Sequence, residues 1–218
     1  MSAPAGWLID RPETEPRSWL LFAHGAGAPM DSDFMQVLSA QMAEQGVGVV
    51  RFEFPYMAER RVSGGRRPPN KMNVLLEFFQ QQIDVIHARM QPENLFIGGK
   101  SMGGRVASMV AQENFDAGRV SGAVCLGYPF HPPGKPDNLR TEHLASLTCP
   151  TLIVQGTRDK LGSREEVAGY PLSTMIDCCW LEDGDHDFKP RKISGFTRQA
   201  HWQRAADLAV AFMCAREL

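Results

Sequence analysis

The chain of 218 residues is 43% hydrophobic and 22% charged, with a net charge of −2. That length suits a single domain, read here as residues 1–218, and allows a core that needs neither metal nor disulfide. The near-neutral balance argues against nucleic acid or an anionic membrane as main partner, and no apolar run approaches the roughly 18 residues of a membrane helix.

The opening MSAPAGWLID has neither a basic region nor an apolar core, so no signal peptide is expected. SWLLFAHGAG predicts a buried strand, Trp19 to Ala23, running into a glycine-rich turn. From Asp33 to Gln45, Phe34, Val37, Leu38 and Met42 fall at helical spacing. VGVVRFEF, 47–54, is a second strand. Residues 55–70 are expected to be loop, because proline and glycine punctuate them and no period survives. Asn73 to Met90 predicts a helix, with Val74, Leu75, Phe78, Phe79, Ile83 and Ile86 on one stripe. NLFIGG is a third strand and GRVASMVAQE the helix after it. SGAVCLGYPF is a fourth strand, TEHLASL a short helix and PTLIVQG a fifth strand. SREEVAGY is a short helix, TMIDCCWLE a sixth strand. Adjacent Cys178 and Cys179 in that strand should face opposite sides of the sheet. The five cysteines show no C-x-x-C spacing, so reduced thiols and a cytoplasmic location are expected. A last helix carries Trp202, Ala205, Leu208, Ala209 and Phe212.

Strands and helices alternate from about residue 19, and the strands are apolar throughout rather than alternating. Strands covered on both faces have that pattern. The expected fold is α/β, a three-layer sandwich around a mainly parallel central sheet. In such sheets ligands bind beyond the carboxyl ends of the strands, so functional residues should come just after strand-like runs.

The stretch NLFIGGKSMGG, 94–104, admits two chemistries. A phosphate-binding loop needs a glycine five residues before Gly99, but that position is Asn94. The spacer Leu95 to Gly98 looks like strand, and the next strand ends without a carboxylate for magnesium. The other reading fits each position. Gly99-Lys100-Ser101-Met102-Gly103 is G-x-S-x-G between a strand and a helix, which presents a nucleophilic serine on a sharp, strained turn. Gly99 and Gly103 leave room for the close approach such a turn imposes. Lys100 is the residue before the nucleophile, and its side chain need not enter the chemistry.

A serine hydroxyl needs a base, oriented in turn by a carboxylate. Asp159 comes after the strand TLIVQG and His186 after TMIDCCWLE, giving the order Ser, Asp, His on the expected edge. His186 is the only histidine between the last strand and the last helix; His87, His143 and His201 lie in helix-like segments, and His131 precedes the acid. The oxyanion donors are expected to be the N–H groups of Met102, after the nucleophile, and Ala26, in the loop His24-Gly25-Ala26-Gly27. His24 is read as a residue that fixes this loop rather than as a base.

With HGAG, GGKSMGGRVAS, GTRD and GDHDFKPRK in place, about residues 18–215 resemble the α/β-hydrolase superfamily. The similarity is to small hydrolases without a lid domain: dienelactone-hydrolase-like proteins and the testis-expressed and non-specific-lethal-complex hydrolase-like proteins. The resemblance implies Ser101 as nucleophile, His186 as base and Asp159 as orienting acid. Dienelactone hydrolases proper use a cysteine where this chain has Ser101, so their substrate is not carried over.

The expected reaction is cleavage of an ester or related acyl bond through an acyl-enzyme. Thioesterase, peptidase and acyltransferase activities share the triad, and a non-catalytic partner-binding protein of the same fold is the other class. The expected partner is a small acyl substrate, with no cofactor. Asp183, Asp185 and Asp187 flank His186, but no metal is assigned. The loop after RFEFPY carries Arg60, Arg61, Arg66, Arg67 and Lys71, either as a solvated segment or as an attractor for an anionic substrate.

Overall fold

The computed structural model of the protein describes residues 6–216. Residues 1–5, part of the stretch read for a leader, lie outside the described residues, as do 217–218. Among the described residues the strands are β1 (Trp7–Asp10), β2 (Ser18–Ala23), β3 (Gly48–Phe52), β4 (Asn94–Lys100), β5 (Gly122–Leu126), β6 (Thr151–Gly156) and β7 (Ile176–Leu181). The helices are α1 (Asp33–Glu44), α2 (Pro55–Ser63), α3 (Met72–Met90), α4 (Met102–Asp116), α5 (Arg164–Val167) and α6 (Arg198–Cys214). The strands form one sheet in the order β1-β3-β2-β4-β5-β6-β7. β1 runs antiparallel to β3 and every other pair is parallel. No helix among the described residues is long and apolar enough to cross a membrane.

Alternate residues of each apolar strand enter different layers. Trp19, Leu21 and Ala23 of β2, with Ile97, Cys125 and Ile153, pack under α3 and α4 through Leu75, Phe79, Ile83, Val106 and Ala107. Leu20 and Phe22, with Phe96, Val124 and Val154, pack under α1 and α6 through Met35, Leu38, Trp202, Ala209 and Phe212. Cys178 packs with the first group and Cys179 with the second, on opposite faces. The parallel three-layer architecture agrees with the sequence reading.

Two expectations are corrected. The segment 55–70 is not all loop: α2 occupies Pro55–Ser63. Pro55 stands in the first turn, where its missing N–H costs nothing, and Gly64 ends the helix with φ +67° and donates to the Arg60 carbonyl. The residues read as helix breakers are therefore its caps. The second correction is β1, an edge strand read as neither strand nor helix. Of its four residues only Trp7 is buried, with Ile9 partly buried against the core, which gives too little periodicity to register. Smaller differences arise from backbone geometry. The fourth predicted strand stops at Leu126, because Gly127 has φ +65°. The predicted helix in TEHLASL is one 3-10 turn, Glu142–Leu144.

The strand order reverses at β2. The chain goes from β2 outward to β3, then returns across β2 to β4. The loops after β2 and β4 therefore leave the sheet in opposite directions and open a crevice at their carboxyl ends, where α/β sheets bind ligands.

Candidate active site

β4 ends at Lys100 and α4 begins at Met102, so Ser101 turns the chain alone, with φ +52° and ψ −114°. Such a conformation costs a non-glycine residue about 1–3 kcal/mol. The flanking glycines are required sterically. A Cβ on Gly99 would lie 2.5 Å from the Gly103 carbonyl carbon and 2.6 Å from the Ala23 oxygen. One on Gly103 would lie 2.5 Å from the same Ala23 oxygen and 2.6 Å from that of His24. Gly27 differs: a Cβ there meets nothing within 4 Å.

The Ser101 hydroxyl donates to His186 Nε2 at 2.8 Å, and His186 Nδ1–H donates to Asp159 Oδ2 at 2.8 Å. Three side chains from the loops after β4, β6 and β7 thus form one hydrogen-bonded line. Asp159 is fully buried. Its Oδ1 accepts from the Leu161 amide at 2.8 Å and its Oδ2 also accepts from Gln155 Nε2 at 2.9 Å. The other histidines have local partners. His87, His131 and His201 contact main-chain carbonyls and His143 contacts Ser108.

The loop after β2 is held from behind. His24 is fully buried; its Nδ1–H donates to the Gly25 carbonyl at 2.7 Å and its Nε2 accepts the Phe54 amide at 3.1 Å. Burial pushes its pKa down, which favours the neutral ring these bonds need. The Tyr56 hydroxyl donates to the carbonyls of Gly25 and Ala26 at 3.3 and 3.1 Å. A trans peptide sets N–H opposite C=O, so the bonds to the Gly25 carbonyl turn the Ala26 N–H the other way. Ala26, Gly25, Gly27, Ser101 and His186 line one cavity of about 270 Å³, and Phe34 and Met35 supply its apolar wall. Met102 is the first residue of α4, which puts its amide among the unpaired donors at that helix start.

Three residues here were not read from the sequence as part of a site. Lys100 is buried, lines the cavity, and donates to the His186 carbonyl at 2.5 Å. Gln155 contacts Asp159, and Tyr56 fixes the loop. A lysine and a glutamine closing apolar strands were the available signals.

The aspartates beside His186 diverge in use. Asp183 pairs with Arg158 and Arg191, Asp185 accepts the amides of Asp187 and Lys189, and Asp187 lies 3.3 Å from Lys100 Nζ. The arginines of 60–67 are largely engaged within the protein. Arg61 bonds both Asp31 and Glu53, Arg67 pairs with Glu59, and Arg60 donates to the Arg67 carbonyl. Carboxylates thus offset Arg61 and Arg67, whereas the bond of Arg60 to a carbonyl leaves its charge in place.

Residues 16–214 match the family model described as an alpha/beta hydrolase domain. Solved structures share the fold. An alpha-beta serine hydrolase homologue from Coxiella burnetii has 19% identity and TM-score 0.70, covering 97% of this chain and 94% of its own. A dienelactone hydrolase from Anabaena variabilis has 19% identity and TM-score 0.73, covering 97% and 92%. A lidless serine hydrolase from Xanthomonas campestris has 16% identity and TM-score 0.65, covering 93% and 88%.

Proposed function

The chain belongs to the alpha/beta hydrolase domain family, and from that premise we propose that it is a serine hydrolase cleaving an ester or related acyl bond. The observation that carries this reading is the line Ser101 Oγ, His186 Nε2, His186 Nδ1, Asp159 Oδ2, with both contacts at 2.8 Å. His186 accepts the Ser101 proton as Oγ attacks the acyl carbon. Asp159 fixes the Nδ1–H tautomer and stabilises the imidazolium that forms. The N–H groups of Ala26 and Met102 hold the oxyanion of the tetrahedral intermediate. His186 then protonates the leaving group, an acyl-Ser101 remains, and His186 activates water to release the acid. The cavity of about 270 Å³ suits a small acyl substrate and supports that partner class.

A fluorophosphonate reagent tests the assignment, because it phosphonylates a serine only where a base and an oxyanion site activate it. The wild-type chain should be labelled, Ser101→Ala should not, and turnover of p-nitrophenyl acetate should be lost in the same variant. Unchanged labelling or turnover in Ser101→Ala would remove Ser101 from the chemistry. A wild-type chain inert to the reagent would favour a partner-binding protein built on the same fold.

A further inference from the structure

We propose that Lys100 is a positioning residue: its ammonium ties the strand that presents Ser101 to the loop that carries His186, and so holds the imidazole in line with the serine oxygen. Its effect on rate rests on the serine-hydrolase reading, whereas the tie itself rests on geometry.

Lys100 closes β4 with its side chain only 9% exposed. A buried ammonium is costly unless paired, and here both polar partners come from the base loop. Nζ donates to the His186 main-chain carbonyl at 2.5 Å and lies 3.3 Å from Asp187 Oδ1. It also lies 5.3 and 5.8 Å from the ring centroids of Phe34 and Phe188, within cation–π range. Burial lowers the ammonium's pKa, and Asp187 and Asp159 oppose that shift.

The end of β5 is shaped for this crossing. A Cβ on Gly127 would stand 2.8 Å from Lys100 Nζ and 2.9 Å from the His186 oxygen, at the point where the two meet. The base loop needs holding, because Asp183 and Phe188 on either side of His186 have φ of +57° and +63°. α6 holds its far side: His201 donates to the Phe188 carbonyl at 2.9 Å and Trp202 to the Asp187 carbonyl at 3.2 Å. Lys100 makes the contact that reaches His186 itself from the nucleophile's own strand. The ring bonds of His186 set where it acts; the Lys100 bond sets where its backbone starts.

Lys100→Met keeps an unbranched stem and removes the charge and the donors. Two readings of the full-length variant are needed: hydrogen–deuterium exchange of the segment 183–189, and the rate of fluorophosphonate labelling together with kcat and KM for p-nitrophenyl acetate. Exchange in 183–189 should rise about tenfold or more while that of α3 stays unchanged. Labelling rate and kcat should fall about 10- to 100-fold with KM moving less than about threefold, as expected when a reacting group is misplaced by about an ångström. Unchanged exchange in 183–189 overturns the tie. Faster exchange with wild-type labelling and kcat overturns the positioning role. Faster exchange in a chain whose wild type never reacts leaves the tie standing and sinks the hydrolase reading instead. Should Lys100→Met fail to fold, Lys100→Gln, which keeps an N–H donor on a shorter stem, is read the same way. Intermediate losses are expected there, and wild-type exchange and labelling would overturn the proposal.

Discussion

Gln155→Glu probes the buried amide donor under the site. Gln155 is fully buried at the end of β6. Its Nε2 donates to Asp159 Oδ2 at 2.9 Å, the Tyr128 carbonyl at 3.0 Å and the Gly162 carbonyl at 3.2 Å, while its Oε1 accepts the Tyr128 amide at 2.7 Å. The substitution keeps the shape and replaces the donating nitrogen with oxygen. That oxygen would face three acceptors, one of them a carboxylate, so the folded state holds the new carboxyl protonated. In the unfolded chain it titrates near about 4.3. A folded pKa raised above the unfolded one gives stability that is present at low pH and lost as pH rises. The variant's deficit should therefore grow by about 1.4 kcal/mol per pH unit, from about 1 kcal/mol at about pH 5 to about 3.7 kcal/mol at about pH 7. Urea unfolding of both proteins at the two pH values measures it. Deficits that differ by less than about 1 kcal/mol would refute the donor role of Gln155 toward these three acceptors.

Gly103→Ala should cost about 1–3 kcal/mol and slow Ser101 labelling, because its Cβ would press on two backbone oxygens of the β2 end at 2.5 and 2.6 Å. Gly27→Ala, where a Cβ meets nothing within 4 Å, should stay within about 0.5 kcal/mol of wild type, and equal thermal shifts for the two would refute the packing account. Burial pushes the His143 pKa down to about 4 and lowers that of His24 as well. Both folded values lie below the ordinary 6.5, so their contribution is complete above that pH and declines as pH falls toward the folded values. His143→Gln should flatten part of the decline in the urea midpoint between about pH 6.5 and about pH 4; an unaltered slope would exclude His143 as a cause.

The parallel sheet was legible because its strands are continuously apolar, and the serine turn because sterics demand glycine at Gly99 and Gly103. Asp159 and His186 were legible because a parallel topology brings the loops after its strands to one edge. α2 was hidden because Pro55 and Gly64 serve equally as breakers and as caps, and only tertiary contacts decide between the two. Tyr56 and Met57 bury its first turn, and Arg61 binds its flank to Asp31 and Glu53. The contacts of Lys100 were hidden for a different reason. G-x-S-x-G describes local backbone needs and leaves the second position unspecified, while the hydrogen-bond partner of Lys100, the His186 carbonyl, lies 86 residues further on. No local pattern carries that pairing.

Two residues that escaped the sequence reading, Lys100 and Gln155, share one placement with His24, which did not escape it. Leu20 to Ala23, Phe96 to Gly98 and Leu152 to Val154 are apolar or glycine and buried, and each strand then runs into a buried polar residue: His24, Lys100 and Gln155. Apolar packing fixes where a strand lies but gives little control over how the loop beyond it is turned. A buried donor or acceptor is directional and loses stability if its partner shifts, so it can set that orientation. His24, helped by Tyr56, sets the loop proposed to hold the oxyanion; Gln155 donates to Asp159, and Lys100 donates to the backbone of His186, the proposed base. Ser101 is held by its backbone as well, with φ +52° between glycines that admit no Cβ and its amide donating to the Leu126 carbonyl at 2.9 Å. A polar side chain closing an apolar strand is thus informative at the carboxyl edge of a parallel sheet, because little besides a directional partner there justifies burying it.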